Sequence, residues 1–510
     1  MTSRILGLVR EQLLAALFGA GNVMDAYVVA ARLPNLLRDL FAEGAMSAAF
    51  VPTFTRTLTA GGKPAAWRLG TNAINALLIT TGTLVVLGMV FTEPIIRLLT
   101  AADYALVPGK LELTVTLARV MLPLLALIAI AAALMGMLNS LHHFFIPALS
   151  PAMFNVATIL CAVAIVPFAG SMGLQPITLI AISTLAGGMA QLAIQVPPLR
   201  REGFRWHAVL DWRDAGLQRV LRLMGPGTIG LAATQVNLAV NQLLATSEVG
   251  AASWLNYAFR IMYLPIGLFG VSIGTAVLPT VSRHSAERNA PGVRDTIADG
   301  LSLMMMLNVP ATVGLIVLAS PIVRLLFERR AFTAADTAAT AAAVQLYALG
   351  LIGYSIVRIT SPTFYALGKN RTPVQASAVT VLLNASLNVG LQQAFGFRGL
   401  ALGTSLAALF NAGTLLVLLR RELGGINGRR LASTFGRISL ASAVMGFTAW
   451  LVQRMLLSLM DGSSLAVQAL RLVLVIGSAL LALAATARGL RIREFDEAFT
   501  MAAQRFRRLA

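Results

Sequence analysis

The chain has 510 residues, of which 57% are hydrophobic and only 12% charged, a balance that excludes a soluble globular protein of this length and leaves the bilayer as its solvent. Its 40 Lys and Arg against 21 Asp and Glu give a net charge of +19, but these cations cluster in alternate loops, so the basic charge is mostly topology and no nucleic-acid partner is implied. Cys161 is the only cysteine and lies in an apolar run, which excludes an intrachain disulfide and a Cys-based metal site.

Lipid offers the backbone no hydrogen-bond partners, so each span must be a helix of roughly 20 mostly apolar residues. About fourteen such segments fit, at residues 1–18, 24–55, 69–92, 111–139, 147–168, 175–197, 223–246, 254–282, 297–319, 335–359, 374–392, 398–420, 433–456 and 464–488. The first contains Arg4 and Arg10 where a cleavable signal peptide would have an uninterrupted apolar core. It is also short, and a turn or more is expected upstream of Met1.

The loop after span two holds Arg56, Lys63 and Arg68, and the connection after span six holds Arg200, Arg201, Arg205, Arg213, Arg219 and Arg222. Arg283, Arg288 and Arg294 follow span eight, Arg420, Arg421, Arg429 and Arg430 follow span twelve, and the tail adds Arg505, Arg507 and Arg508. The opposite loops are poorer, with Arg97, Lys110, Arg324 and Arg398 among their few cations. The positive-inside rule then places both termini in the cytoplasm. The longest connection mixes Trp206, Leu210, Trp212 and Leu217 with charges, as expected of an amphipathic segment on the membrane surface.

Glu93-Pro94-Ile95-Ile96-Arg97-Leu98-Leu99 recurs as Ser320-Pro321-Ile322-Val323-Arg324-Leu325-Leu326, and Val51-Pro52-Thr53-Phe54-Thr55-Arg56 recurs as Leu278-Pro279-Thr280-Val281-Ser282-Arg283, both displaced by 227 residues. Two matches at one offset make spans one to six and seven to twelve homologous halves in the same orientation. The expected architecture is an all-α polytopic membrane protein: two pseudo-symmetric six-helix bundles (1–197 and 223–420), a cytoplasmic amphipathic linker (198–222), and two additional C-terminal helices with a basic tail (421–510). Two such bundles facing each other make a transporter plan.

A charge near the bilayer centre costs at least about 2.5–3.5 kcal/mol on insertion scales, so intramembrane charges are functional candidates. Span one offers Arg4, Arg10 and Glu11; span two offers Asp25, Arg32, Arg38, Asp39 and Glu43; span eight offers Arg260. Asp25, Arg32 and Asp39 are spaced by seven and share one helical stripe, continued by Glu43. As a structural feature that stripe is an internal salt-bridge ladder; as a functional one it lines a cavity. The excess of guanidinium over carboxylate implies an anionic ligand, because the planar donor fork of Arg matches phosphate oxygens, and a diphosphate would satisfy several forks at once. Pro34 and Pro52 in span two and Pro265 and Pro279 in span eight each remove a backbone hydrogen bond and permit a bend, whether as hinges or as static kinks.

Ser3-Arg4-Ile5-Leu6-Gly7-Leu8-Val9-Arg10-Glu11, Phe18-Gly19-Ala20-Gly21, Asp25-Ala26, Leu33-Pro34-Asn35-Leu36-Leu37-Arg38, Phe41-Ala42-Glu43-Gly44-Ala45 and Gly270-Val271-Ser272-Ile273-Gly274-Thr275 closely resemble the MurJ/MviN family, over nearly the whole chain. The resemblance implies the fold of the MOP exporter superfamily and a flippase moving lipid II, the undecaprenyl diphosphate-linked disaccharide-pentapeptide, to the outer leaflet of the bacterial inner membrane for cell-wall synthesis. It implies that Arg4, Arg10, Arg38 and Arg260 are essential cavity arginines and Asp25 an essential acid, with Asp39 and Glu43 as further gating or structural acids. The last two helices look like a groove for the polyprenyl tail. It further implies a monomer that binds lipid II and membrane lipids, with cell-wall synthesis or division proteins as possible partners, and no cofactor.

Two departures matter. Where the family often has an acid three positions after the arginine matching Arg260, this chain has Tyr263. The neighbourhood matching a sodium site offers Asn237, Asn241, Asn384, Asn388 and Thr404 but no carboxylate, so a hard cation would bind weakly, and sodium or the membrane potential stands as the energy source. The rival readings are a polysaccharide-unit flippase, a cation-coupled drug exporter, which should present acids rather than arginines, a membrane-embedded enzyme on prenyl phosphates, which needs acid clusters absent beside His142, His143, His207 and His284, and a scaffold for the division machinery, which has no need of buried Arg.

Overall fold

The computed structural model describes residues 2–39, 45–267, 271–460, 462 and 464–496, without the side chains of residues 2, 4, 45–48, 225–234, 271–272 and 275–276. Every long element among the described residues is a helix, and the chain forms two compact units, Met1–Ser253 with Arg329–Phe332, and Trp254–Glu328 with Thr333–Ala510.

The first unit contains α1 (Thr2–Phe18), α2 (Asn22–Arg38), α3 (Ala45–Val90), α4 (Thr92–Leu98), α5 (Lys110–Met121), α6 (Leu124–Ser140), α7 (Phe145–Leu160), α8 (Pro176–Ala193), α9 (Val196–Arg201) and α10 (Ala215–Ala245). Its core is built from Phe50, Phe54 and Leu69 of α3, Met137 and Leu138 of α6, and Leu217 and Val220 of α10. The division between units therefore falls at Ser253, not within residues 198–222, and α10, grouped by repetition with the second half, packs with the first. The connection ahead of α10 is largely non-helical and is tied to the polar side of α3. Trp206 Nε1 donates to Asn75 Oδ1 at 2.9 Å, Asn75 Nδ2 donates to the carbonyls of His207 and Val209 at 2.7 Å, and Arg68 pairs with Asp211 at 3.1 Å.

Beside it, Glu202 accepts from His143 Nε2 and from Lys63 Nζ, each at 2.9 Å, where α3 breaks at Gly62 (φ +71°). The hydrogen bonds from His143 and then Lys63 hold the Glu202 carboxyl below the usual carboxylate range. A depressed carboxyl pKa contributes stability above its ordinary value of about 4.3 and loses it as pH falls through the folded value. Glu202→Gln is therefore expected to melt slightly below wild type at pH 7, and thermal scans between pH 6 and 3 should show that difference vanish at the acid end.

The second unit contains α11 (Ala251–Pro265, apart from its first three residues), α12 (Val271–Ala286), α13 (Ala290–Phe327), α14 (Ala334–Ala366), α15 (Arg371–Phe395), α16 (Phe397–Leu423), α17 (Gly428–Leu459) and α18 (Leu465–Gly489). A Thr333/Asp336 capping box satisfies the first orphan donors of α14. Small residues let helices approach closely in lipid, where hydrocarbon gives no hydrophobic drive for association. A Cβ at Gly353 of α14 would lie 2.6 Å from the Ala408 backbone of α16, and one at Gly350 would lie 2.8 Å from Ser405 Oγ. Gly353→Val is expected to cost at least about 1–3 kcal/mol by overpacking, read as a lower unfolding midpoint in detergent. The two C-terminal helices pack on α13, where Met306, Val309 and Leu318 meet Ile438, Ala441 and Met445 of α17 and Val475, Ala479 and Leu483 of α18.

Ten helices among the described residues are long and apolar enough to cross a membrane, so the chain is a multi-pass membrane protein. The other four expected spans, 1–18, 24–55, 223–246 and 254–282, are where α1, α2 with the start of α3, α10 and the pair α11–α12 stand. Span two holds α2 and the start of α3, and span eight holds α11 and α12, with residues 40–44 and 268–270 outside the described residues. The ends of α1 at Phe18 and α10 at Ala245 are displaced by 227 residues, so the repeat reaches down to a pair of helix ends. Pro34, Pro52, Pro265 and Pro279 stand inside helices, while the backbone departs from helix in α3 at Gly62.

Candidate functional site

Asp25 opens the first turn of α2, where the helix dipole favours an anion. It is almost wholly buried and accepts four hydrogen bonds: from Lys110 Nζ at 3.2 Å, Gly250 N at 2.7 Å, Ser253 N at 3.1 Å and Ser253 Oγ at 2.7 Å. Lys110, at the start of α5, is buried as well, and its ammonium lies 4.5 Å from the centre of the Tyr104 ring. One carboxylate thus fixes the start of α2 to the start of α5 and to the turn that follows α10. Nearby, Ala331 N donates to Ala16 O at 3.2 Å, and a Cβ on Gly19 (φ +66°) would fall 2.4 Å from Ala331 O. Both residues belong to the first unit, and only glycine fits the end of α1 there.

On α1, Arg10 Nη2 bonds Glu11 Oε1 at 2.6 Å and the guanidinium lies 5.5 Å from the Phe154 ring of α7. Its Nε is buried without a hydrogen-bond partner. So is Arg32 Nε on α2. An aligned guanidinium with an unused buried donor has directional capacity for an anion. Arg38 closes α2 and pairs with its neighbour Asp39 through Nη2 at 2.8 Å. The expected ladder along Asp25, Arg32 and Asp39 is therefore not formed: Asp25 turns to Lys110 and the backbone, and Asp39 turns to Arg38. Glu43 and the Arg4 side chain lie outside the described residues.

Arg260 on α11 is exposed beside Phe259, which stacks on Tyr263 with 5.8 Å between rings. Tyr263 Oη accepts from Arg358 Nη2 of α14 at 2.9 Å. At the position where an acid was expected, a phenol oxygen takes the hydrogen bond of a second arginine. Sequence reasoning passed over Arg358, although it is the only charge toward the end of span ten, and assigned Lys110 to a loop because it borders span four.

Of the residues weighed for a cation, Asn388 Nδ2 donates to Asn384 Oδ1 at 3.1 Å, and Thr404 Oγ1 donates to the Leu400 carbonyl at 2.8 Å. Asn237 lies in the first unit, where its Oδ1 is buried without a partner. No group of three or more His, Cys, Asp or Glu able to hold a metal occurs among the described residues.

The model of the family described as lipid II flippase MurJ matches residues 14–469. A probable lipid II flippase MurJ of Rhizobium tropici is 34% identical over 448 residues, covering 87% of this chain and 83% of the relative. One of Vibrio cholerae is 32% identical over 467 residues, covering 89% and 87%. A solved structure of lipid II flippase MurJ in an inward closed conformation superposes with a TM-score of 0.76 at 28% identity, over 96% of this chain and 97% of the other. An inward-facing multidrug resistance MATE transporter of the MOP superfamily reaches 0.72 at 14% identity, over 83% and 94%, and supports the fold alone.

Proposed function

We propose that this chain, which belongs to the lipid II flippase MurJ family, moves lipid II from the cytoplasmic to the outer leaflet of the bacterial inner membrane by alternating access. The observation that carries the reading is the pair of arginines, Arg10 and Arg32, on α1 and α2, each with a buried guanidinium nitrogen that has no partner among the described residues. A buried cation held with spare donors suits a diphosphate better than a cationic drug, whose counter-charge would have to be a carboxylate. Arg4, Arg10, Arg38 and Arg260 are assigned to the diphosphate, with the spare donor of Arg32 as a further contact. Asp25, with its four hydrogen bonds, is assigned to a latch that must release for the headgroup to leave at its end of the first unit. Asp39 and Glu43 are supporting acids.

The apolar side chains of Leu440, Val444, Phe447, Val473 and Leu480, exposed on α17 and α18, would accompany the polyprenyl tail. The excess of Arg and Lys in alternate loops supports cytoplasmic termini. Because 100 mV is worth about 2.3 kcal/mol per elementary charge, the membrane potential can draw an empty cationic site back inward. The neutral Asn384, Asn388 and Thr404 group supports at most weak sodium binding. A carrier role, not catalysis, is the reading these residues support.

The test is retention of lipid II by the purified chain. Wild type should bind lipid II in preference to undecaprenol, and Arg260→Ala should weaken that preference at least tenfold. Equal binding of the two lipids would remove the diphosphate assignment.

A further inference from the structure

The N-terminal turns of α17 and the segment after α18 line a half-open cavity of about 200 Å³ with Arg430, Thr434, Arg437, Arg491, Arg493 and Glu494. Arg430, Thr434 and Arg437 are spaced by four and three, so they share one face of α17. The other wall is held from beneath: Ile492 is buried in the core of α13, α17 and α18, and its N–H closes back on the Ala487 carbonyl at 3.0 Å. Arg491 sits in the left-handed region (φ +53°), at a helix end where glycine is usual.

Four arginines face one carboxylate in this lining. Arg430 is engaged by Asp299 at 2.7 Å, while Arg437 and Arg491 form no ion pair among the described residues. Two exposed guanidinium groups without an ion pair therefore line the cavity beside the single carboxylate of Glu494, an excess of cation that suits a phosphate.

Position selects the kind of phosphate. At ~1.5 Å per residue, the 32 residues of α17 span about 48 Å, more than the ~30 Å hydrocarbon core. The exposed apolar run of α17 starts in earnest at Leu440 and continues through Val444, Phe447 and Leu451. Arg430 to Arg437 thus lie one to three turns beyond the lipid-facing stripe, at headgroup level, next to half-exposed Phe435. We propose that this cavity is a binding site for the phosphate of an anionic membrane lipid, whose acyl chains lie along α17 and α18. Its cavity involves none of the residues assigned to the diphosphate of lipid II, only the apolar stripe of α17 and α18 being shared with the polyprenyl tail, and its failure would leave that reading untouched.

The experiment counts phosphatidylglycerol retained by the delipidated full chain, by native mass spectrometry. Arg491→Gly removes one guanidinium while easing the backbone, so folding is preserved, and Arg437→Gln removes the other. The double variant is expected to retain phosphatidylglycerol about tenfold less well than wild type, with an unfolding midpoint for Arg491→Gly at or above the wild-type value. Arg421→Gln with Arg429→Gln, which removes two exposed charges outside the lining, should retain it as wild type does. Phosphatidylcholine should bind weakly and alike to all variants. Equal retention by wild type and the pocket variant, or an equal loss in the control pair, would overturn the site. Displacement of phosphatidylglycerol by inorganic phosphate at equal concentration would overturn the lipid assignment in favour of a free anion.

Discussion

Asp25→Ala is expected to abolish transport and to lower stability together. It leaves Lys110 as an uncompensated buried charge, which typically costs about 3–5 kcal/mol. It also strips the acceptor from the N–H groups of Gly250 and Ser253, at about 1–3 kcal/mol for each buried donor left unsatisfied. Asp25→Ala with Lys110→Met removes both charges and should recover most of the stability, because a buried ion pair is frequently replaceable by apolar groups. Transport should stay lost in the double variant if the latch itself is needed for the cycle. Thermal unfolding in detergent and growth of flippase-depleted cells read the two effects separately. Recovery of both would reduce Asp25 to a structural ion pair.

The second large effect is expected at Arg10. Arg10→Ala takes the 2.6 Å partner from buried Glu11, so loss of function in that variant alone would mix folding with binding. Arg10→Gln with Glu11→Gln keeps a hydrogen-bonding pair and removes both charges. Near-normal folding is expected there, with lipid II binding weakened by roughly ten- to a hundredfold, the worth of one charge-assisted hydrogen bond of about 1.5–3 kcal/mol. Arg10→Lys should be intermediate, because an ammonium keeps the charge and loses the fork. Equal affinity in all three would remove Arg10 from the site.

Most of the fold was legible because lipid makes the rules strict. A backbone that must satisfy itself forces helices of known length, and the 227-residue repeat carried over to the helix ends at Phe18 and Ala245. The bend in the span-two region was less legible: the prolines drew attention to Pro34, Pro52 and Pro279, which stand inside helices, whereas the backbone of α3 turns at Gly62.

The candidate site shows the same division. The cost of burying charge marked Arg10, Asp25 and Arg38 from sequence alone, since each is expensive wherever it lies in the membrane. Their partners were not readable, because partnership is tertiary. Spacing by seven suggested that Asp25, Arg32 and Asp39 form a ladder, yet Asp25 reaches residues 85 and 225 positions away. Lys110 was taken for a loop cation because it borders a span, and Arg358 was overlooked inside one. Both could have been found by asking which single charges stand at the edges of otherwise apolar helices.

The central claim, transport of lipid II, is tested most directly by its accessibility to an externally added enzyme that cleaves lipid II, in cells depleted of their own flippase and supplied with this chain. Wild type should restore cleavage at the outer face, and Arg10→Gln with Glu11→Gln, expressed at equal level in the membrane, should not. Cleavage absent with both, or restored equally by both, would contradict the account.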